Sequence, residues 1–325
     1  MTERTKTGSL FTFLVFVALI LTLAAVLLSA YLRLESIGLG CEDWPGCFGQ
    51  LAAGGDRSLL PATTAGVVHR ATASLLGLTV FAVTLLALRG ERPAGIGLAA
   101  PLSTFALTLF LSALGFRTPS PELPAVTVGN LLGGMAMLAL LWWMGRRSLE
   151  SMDAGDDATT GLRPWALLGL VVVAVQITLG AVTSATFAGP SCTLLPGCDG
   201  DWASATNLIQ GFNLFGPLAV DDQHRILTGS VQKTVHMTHR AGAVLTFLYL
   251  GWLALRALKR HRRLRSTAIG MMVFLVIQAA LGISAVLTGL PLPVVTAHNA
   301  MAAMLLLATV NLNCLVTPAG SQAPS

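Results

Sequence analysis

Long apolar runs separated by short charged segments dominate the pattern of hydrophobic and polar positions along the chain. No Asp, Glu, Lys or Arg occurs in residues 7–32, 93–116, 123–145 or 164–198, and residues 266–325 form a run of 60 without any. Because about 20 apolar helical residues cross a hydrocarbon core of ~30 Å, several of these runs are long enough to span a membrane. The pattern therefore predicts an all-α integral membrane protein.

Eight transmembrane helices are predicted, arranged as two four-helix bundles. The expected spans are residues 10–32, 62–88, 95–116, 124–145, 164–187, 232–257, 266–288 and 292–315. The last two come from one apolar run, which the segment Gly289-Leu-Pro-Leu-Pro293 should divide by a tight turn. The apolar part of the first span exceeds the roughly 7–15 residues of a signal peptide, so we expect it to persist as a helix.

Composition and charge placement agree with a membrane location. Hydrophobic residues make up 54% of the chain and charged residues only 11%, against about 25% charged in a typical soluble domain. With the N-terminus in the cytoplasm, thirteen Lys and Arg residues fall in the inner segments and five in the outer loops, as the positive-inside rule favours. Both termini are then cytoplasmic. The basic stretch 259–265 lies between two spans, so we interpret it as an inner-loop anchor and expect no nucleic-acid partner.

Two cysteine pairs with the same spacing fall in the predicted outer loops. Cys41–Cys47 and Cys192–Cys198 both end in Pro-Gly-Cys and lie 151 residues apart. Because an oxidising compartment permits disulfides, two short-range disulfides are predicted, with a metal site or a redox-active dithiol as alternatives. His224 is the one further histidine that these loops offer to a metal. Cys314, in the last span, is predicted to be a small buried apolar residue.

The internal repeat extends from the cysteines into the helices. Val68-His-Arg-Ala71 matches Thr238-His-Arg-Ala241 at an offset of 170 residues, and Leu123-Pro124 matches Leu292-Pro293 at an offset of 169. Each half has an even number of spans, so both enter the membrane in the same direction, which predicts a parallel duplication with a pseudo-two-fold axis along the membrane normal. The predicted units are an N-terminal half (1–147), a cytoplasmic linker (148–163) and a C-terminal half (164–325).

Four histidines lie inside predicted spans, where ionisable residues are functional candidates. His239 and His298 fall at the same depth, roughly 10 Å below the outer face at a rise of 1.5 Å per residue. Two imidazoles at one level on different helices suit axial ligation of a haem iron. A zinc ion is the alternative, with His236 as a further ligand. The small neighbours that favour haem, by leaving room for a flat macrocycle, are Gly242, Ala243, Ala297, Ala300, Ala302 and Ala303.

The N-terminal half does not complete the same histidine pair. His69 corresponds to His239, but Gly129 and Asn130 stand where the second half has His298. A haem held by two histidines is therefore predicted for the C-terminal half alone.

Arg70 and Arg240 each follow one of these histidines directly. An arginine facing lipid is expensive, so each is predicted to pair with a haem propionate or to snorkel to the outer surface. The acidic residues of 199–231 are predicted to form a solvated face, with a docking surface as the alternative.

Taken together, these motifs resemble the haem A synthase (cytochrome oxidase assembly) family. The resemblance is carried by Gly38-Leu-Gly-Cys-Glu-Asp-Trp-Pro-Gly-Cys47, His69-Arg70, His239-Arg240 and Thr296-Ala-His-Asn299, and it covers nearly the whole chain. It implies oxidation of the methyl group of haem O to a formyl, which gives haem A for respiratory oxidases in a bacterial-type inner membrane. Haem O synthase and cytochrome oxidase assembly proteins are the implied partners.

The same resemblance implies roles for individual residues. His239 and His298 match the two ligands of a haem b, and His69 matches a ligand of the substrate haem. The disulfide matching Cys41–Cys47 is associated in the family with activity.

Two positions in the N-terminal half depart from the family pattern. The family usually has Glu three residues before the first histidine, where it would accept a proton or stabilise charge beside the reacting haem; Gly66 stands here. The family also has a second histidine in the fourth span, where this chain has Gly129 and Asn130. The alternative function is therefore a non-catalytic haem b-binding assembly or delivery protein. A transporter fits less well, because the last two spans contain no acidic residue.

Overall fold

The computed structural model describes residues 2–36, 64–115, 123–149, 161–218 and 229–317, and within them the chain forms nine α-helices and no strand. In chain order these are α1 (Thr2–Ser36), α2 (Thr64–Leu88), α3 (Ala99–Gly115), α4 (Pro124–Leu149), α5 (Arg163–Ala185), α6 (Ala205–Gly211), α7 (Ser230–Arg260), α8 (Arg265–Leu287) and α9 (Leu292–Val316). All but the short α6 correspond to a predicted span. The all-α prediction is confirmed.

Seven of the described helices are long and apolar enough to cross a membrane, and α3, with 17 residues, is an apolar helix of lesser length. The predicted third span began at residue 95, four residues before α3 does. Pro93 starts a turn in which its carbonyl accepts from the N–H of Ile96 (3.0 Å). The guanidinium of Arg92 then holds the carbonyls of Ala87 (3.0 Å) and Ile96 (2.8 Å). These bonds satisfy the backbone outside a helix, so α3 begins later than hydropathy alone suggests.

The helices pack in two sets of four with matching neighbours. In the first set α1 contacts α2 and α4, and α3 contacts α2 and α4; in the second set α5 contacts α7 and α9, and α8 contacts α7 and α9. Between the sets, α4 packs on α9 and on α5, and α1 packs on α9. Helices α4 and α9 therefore form the centre of the molecule.

The core lies where these central helices meet their neighbours. Met137 and Leu141 of α4, Leu250 of α7 and Leu312 of α9 are fully buried there. Cys314 is buried in the same cluster, as predicted. Large apolar side chains also cover the outside of the bundle, such as Leu245, which is 67% exposed. Helices that are apolar on both their inner and outer faces are typical of a membrane interior.

Two hydrogen bonds link the sets at opposite ends of the bundle. The end at which α5 leads into Cys192–Cys198 is here called the disulfide end, and the other the basic end. At the disulfide end Arg33, in the last turn of α1, donates to the hydroxyl of Ser184 in α5. Arg33 is thus part of a helix and not of an outer loop. At the basic end Arg147 of α4 donates to the carbonyl of Thr317 (3.1 Å).

The predicted tight turn before α9 is confirmed. Gly289 and Leu290 adopt φ values of 74° and 61°, in the left-handed region. The N–H of Leu290 donates to the carbonyl of Ala285 (2.7 Å), which closes the end of α8. With Pro291 as its N-cap residue, α9 then starts at Leu292. This reversal places α8 and α9 side by side at the disulfide end.

Candidate functional site

The loop that follows α5 is closed by a disulfide between Cys192 and Cys198, as predicted, with Cα atoms 5.1 Å apart. The other predicted pair, Cys41–Cys47, lies outside the described residues, and so does His224.

Arg240 fastens this disulfide loop to α7. One guanidinium nitrogen, Nη1, donates to the carbonyls of Leu194 (2.7 Å) and Gly197 (2.8 Å), and Nη2 donates to the carbonyl of Cys192 (2.7 Å). Three carbonyl acceptors on one cation form charge-assisted hydrogen bonds, which are stronger than neutral ones. The Nε of Arg240 is buried and has no hydrogen-bond partner among the described residues. The side chain therefore fixes the loop to α7 through its two Nη atoms, and its Nε–H remains available as a donor.

The rest of the loop is tied to the first turns of α7. The ammonium of Lys233 contacts the carbonyl of Asp199 (3.0 Å) and its carboxylate (3.3 Å). The hydrogen bond from Lys233 holds the pKa of the Asp199 carboxyl below its ordinary value. Thr234 donates to the carbonyl of Trp202. Asp199 itself is 62% exposed, which agrees with the predicted solvated face at this position.

His239 of α7 is seated against α5 by two residues of that helix. The side-chain amide of Gln176 lies 3.1 Å from Nδ1 of His239 and donates to the carbonyl of the same residue at 3.1 Å. One turn further along α5, Gly180 faces the ring: a Cβ added there would lie 3.2 Å from Cε1 of His239. No described residue hydrogen-bonds the other ring nitrogen, Nε2.

His298 of α9 is seated against α8 in a similar way. The amide nitrogen of Gln278 lies 3.2 Å from Nε2 of His298. A Cβ added to Gly282, one turn further along α8, would lie 3.1 Å from Cε1 of His298. The Nδ1 atom is buried and has no hydrogen-bond partner in the described part of the chain.

The two seated imidazoles lie close enough for electrostatic interaction with each other. Both side chains are mostly buried, but the described residues do not enclose them completely. Nδ1 of His298 has no hydrogen-bond partner among the described residues, and a neutral imidazole binds a metal ion through whichever nitrogen carries no proton. Nε of Arg240, which has no partner among the described residues, lies next to His239 on α7. Together these residues fit a haem bound through two imidazoles, with the arginine available to one of the haem propionates.

Gly242, predicted to leave room for a macrocycle, instead receives residues of α5. An added Cβ would lie 2.4 Å from Oε1 of Gln176 and 2.7 Å from Cδ1 of Leu179. Close approach of helices through small residues is typical of membrane bundles. Gly242 therefore serves the contact of α7 with α5 and not an open cavity. Ala303, also among the predicted small neighbours, is completely buried in the core.

His236 is buried one turn before His239, with its ring near the backbone of Ala188 and Gly189. Its Nδ1 has no hydrogen-bond partner among the described residues. A zinc site would need His236 together with further ligands, and the described residues contain no group of three or more His, Cys, Asp or Glu able to hold a metal ion.

The N-terminal half presents its candidate residues differently. His69 is half-buried near the start of α2, and Arg70 is exposed. Gly129 of α4, at the position of His298, packs against α3: an added Cβ would lie 2.9 Å from Cδ1 of Leu114 and 3.8 Å from Phe110. The place of a second ligand is therefore covered by a leucine side chain.

Comparison with known proteins places this geometry in a family. The family model described as "Cytochrome oxidase assembly protein" matches residues 12–310, which include every candidate residue of both halves. The chain belongs to this family. A relative from Shewanella oneidensis named "Heme A synthase" is 34% identical over 319 residues, which are 93% of this chain and 95% of the relative.

Matches to other family members cover less of the chain. The "Heme A synthase" of Granulibacter bethesdensis is 27% identical over 202 residues, 62% of this chain and 50% of that protein. The "Heme A synthase" of Allorhizobium ampelinum is 33% identical over 171 residues, 52% of this chain and 43% of that protein. The long match to the Shewanella protein thus extends the similarity across both four-helix sets.

The glutamines and glycines that seat the histidines in this family member were not among the predicted site residues. A signal for them exists in the sequence: Gln176-Ile-Thr-Leu-Gly180 and Gln278-Ala-Ala-Leu-Gly282 share the pattern Gln-x-x-Leu-Gly. The pattern relates the first and third helices of one half, so a comparison of the two halves with each other does not reveal it. Glutamine within an apolar run is a polar residue at membrane depth, which was the remaining clue.

Proposed function

We propose that this chain is a haem A synthase, which oxidises the methyl group of haem O to a formyl group and so supplies haem A for cytochrome oxidase assembly. The observation that carries the proposal is the similarity to the Shewanella "Heme A synthase" over 93% of the chain. Within that match lie two histidines whose rings each pack against a glutamine and a glycine of the adjoining helix. Haem O is the substrate and haem A the product.

A haem b held by His239 and His298 is the proposed resident cofactor. The support is the pair of rings packed on α5 and α8, together with Nδ1 of His298 and Nε of Arg240, which are buried and have no hydrogen-bond partner among the described residues. When bound, the group supplies one-electron transfer. His239 and His298 would hold the iron from two helices, Nε of Arg240 would donate to a propionate, and the apolar helices around the group would exclude water.

The N-terminal half is the proposed place of the substrate haem. His69, half-buried near the disulfide end of α2, is the candidate iron ligand, and Arg70 is the candidate partner of a propionate. Gly66 and Gly129 contribute no ligand or proton acceptor, so His69 is the single protein ligand proposed for the reacting haem. A single protein ligand would hold the haem less firmly than two, which suits a substrate that must enter and a product that must leave.

The proposed architecture is a parallel duplication of four helices, eight spans in all, with units 1–147 and 164–325 joined by the linker 148–163. It is supported by the matching neighbours of the two sets. Further support comes from Arg33 and Ser184, which are in contact and 151 residues apart, the same offset as the two cysteine pairs. Equivalent positions of two repeats meet where a pseudo-two-fold axis passes between them.

The proposed location is a bacterial-type inner membrane with both termini in the cytoplasm. The disulfide end then faces the oxidising compartment, which suits Cys192–Cys198. The basic end, with the Lys and Arg residues of 259–265, faces the cytoplasm. Haem O synthase and other assembly proteins are the proposed partners, since haem O must pass from one membrane protein to the next.

Expression in a bacterial strain that lacks its own haem A synthase tests the function. We expect the strain to regain haem A, and the protein purified in detergent to contain low-spin haem b together with haem O or haem A. A reduced-minus-oxidised spectrum and chromatography of the extracted haems measure both. Haem b without haem O or haem A would favour the alternative, a haem-binding assembly or delivery protein. Gly66 and Gly129 favour the same alternative, because they provide neither a proton acceptor nor a second ligand. A purified protein without any haem would refute both.

A further inference from the structure

The Gln-x-x-Leu-Gly segments of α5 and α8 meet the same two histidines that are proposed to bind haem b. Both segments present a glutamine and, one helical turn later, a glycine to a neighbouring helix. In both cases the residue they contact is a histidine on that helix. Two unrelated stretches, 102 residues apart from Gln176 to Gln278, thus make the same kind of contact with the same kind of side chain.

The glycines determine how closely each ring approaches its supporting helix. Gly180 and Gly282 would place an added Cβ at 3.2 and 3.1 Å from Cε1 of His239 and His298, respectively. These separations are shorter than ordinary van der Waals contact, so the ring would have to move by a few tenths of an ångström. Gly270, in the same helix as Gly282, would place its Cβ no nearer than 4.0 Å to any neighbour. Gly180 and Gly282 therefore lie where a side chain would collide with an imidazole, whereas Gly270 does not.

The glutamines determine the rotation of each ring. An imidazole packed on a flat helix surface still turns about its Cβ–Cγ bond, and a hydrogen-bonding group beside one ring nitrogen selects one orientation. The amide of Gln176 lies beside Nδ1 of His239 (3.1 Å) and that of Gln278 beside Nε2 of His298 (3.2 Å). An imidazole that binds iron through one nitrogen carries its proton on the other and needs an acceptor there. In the ligating form each amide would therefore turn by about 180° and present Oε1 to the ring N–H. The Oε1 atoms of both amides are buried without a partner among the described residues, so each is available to accept a ring N–H from the imidazole beside it.

We propose that Gln176 with Gly180 and Gln278 with Gly282 are positioning residues, two seats that fix the ring orientation of His239 and His298 for axial ligation. The inference rests on the proposed function, since it concerns the proposed haem b ligands. Groups beside a metal-binding imidazole set its orientation and basicity, and their loss typically lowers metal affinity or activity by roughly 10–100-fold.

The N-terminal half lacks such seats at the equivalent positions. At the offset of 151 residues, Ala25 and Ser29 of α1 stand where α5 has Gln176 and Gly180. A resident cofactor requires ligands held in one orientation, whereas a substrate haem must enter and leave. The glutamine and glycine seats are thus a second difference between the two halves, in addition to the number of histidines. They suit a permanent haem in the second half and an exchanging haem in the first.

Replacement of the glutamines tests the proposal on the full-length protein in detergent. We expect Gln176→Leu and Gln278→Leu to lower haem b content at limiting haem by roughly 10-fold. The haem that remains should show altered low-spin EPR g-values and a shifted midpoint potential, which a loss of packing alone does not produce. Gln232→Leu is the matched control, because Gln232 lies on α7 but bonds to the backbone of Gly229 (2.9 Å) and not to an imidazole.

Replacement of the glycines tests the second element of each seat. Gly282→Ala should reduce haem b content and change the EPR signal, while Gly270→Ala in the same helix should leave both unchanged. Alanine is the better helix former at either position, so a difference between the two variants reports on the ring and not on the helix. If a leucine variant fails to accumulate, Gln176→Met or Gln278→Met takes its place.

The outcomes distinguish this inference from the proposed function. Normal haem b content, g-values and potential in the glutamine variants overturn the positioning role, whether or not the protein makes haem A. Absence of haem b from the unsubstituted protein overturns both proposals. Haem b with altered g-values in the variants supports the seats even in a protein that makes no haem A.

Discussion

The two four-helix sets share their helix order and their neighbours, but they differ at the level of the histidines. In the second set His239 and His298 each rest on a glutamine and a glycine of the adjoining helix. In the first set His69 stands without a second histidine, and Gly129 is covered by Leu114. The two sets thus share their helix contacts, and they differ in the polar residues at the level where the cofactor is proposed to bind.

This difference shows how the packing changes between a position with a histidine and the matching position without one. Where the histidine is absent, a neighbouring apolar side chain fills the space, because a void would forfeit its contacts. Where the histidine is present, a glycine of the adjoining helix lies against its ring. The comparison therefore predicts opposite responses to the same kind of substitution in the two sets.

The largest expected effect comes from the histidines. His239→Ala or His298→Ala should abolish the low-spin haem b signal, because each removes one of two axial ligands. His69→Ala should leave that signal in place and reduce the haem O or haem A that copurifies. Absorption and EPR spectra of the purified variants measure the first effect, and haem chromatography the second. A low-spin signal that persists in both His239→Ala and His298→Ala would refute the assignment of the resident site.

A smaller effect is expected from the glycine at the α5–α7 contact. Gly242→Ala puts a methyl group 2.4 Å from Oε1 of Gln176, and overpacking of this kind destabilises by about 1–3 kcal/mol. Gly77→Ala, in α2 of the first set, meets nothing within 4 Å and should be neutral or slightly stabilising. Thermal unfolding in detergent measures both. Equal melting temperatures for the two variants would contradict the close packing described around the seated histidine.

The next effect in size is expected from Arg240, whose guanidinium holds the disulfide loop. Arg240→Lys removes the guanidinium that reaches the carbonyls of Cys192, Leu194 and Gly197, and a lysine ammonium cannot reproduce that planar arrangement of donors. We expect the Cys192–Cys198 disulfide to be reduced faster by a mild reductant, as measured by thiol labelling. Arg163→Lys, at the exposed start of α5 at the basic end, is the control. An unchanged rate of reduction in Arg240→Lys would show that the loop is held by other contacts.

The smallest effect is expected from the exposed ion pair of Lys233 and Asp199. Surface pairs contribute little to stability, so Asp199→Asn should change the melting temperature only slightly at neutral pH. Because the pKa of Asp199 is lowered from 3.8, the pair is complete above that value and is lost as the pH falls through the lowered pKa. Any contribution therefore disappears only in acid. A large loss of stability between pH 7 and pH 5 in the unsubstituted protein would not come from this pair.

Most of the helical framework was predictable because its cause is local. Uncharged runs longer than about 20 residues have few alternatives to a membrane helix, and α2, α4, α5, α7, α8 and α9 begin and end within a few residues of their predicted spans. The Pro-Gly-Cys spacing predicted the Cys192–Cys198 disulfide, and the Gly-Leu-Pro segment predicted the turn before α9. The late start of α3 was missed because it depends on hydrogen bonds from the Arg92 side chain, which hydropathy ignores.

Within the candidate site the sequence identified the histidines but not their surroundings. Depth along a helix follows from counting residues, so His239 and His298 were predicted at one level. Which neighbours they touch depends on the rotation and crossing of helices, and the contact between Gln176 and His239 joins residues 63 positions apart. For the same reason Gly242 was predicted to leave space for a ligand, although Gln176 and Leu179 occupy it.

The sequence by itself determined the membrane helices, the internal repeat, the inequality of the two halves in histidine, and the family resemblance. All of these follow from residue order along one dimension, through hydropathy, spacing and charge. The tertiary structure alone decided that Arg240 braces the disulfide loop, that Leu114 covers the position at Gly129, and that each second-half histidine rests on a glutamine and a glycine. Such contacts are set by close packing between helices, where a displacement of one ångström decides whether a side chain fits.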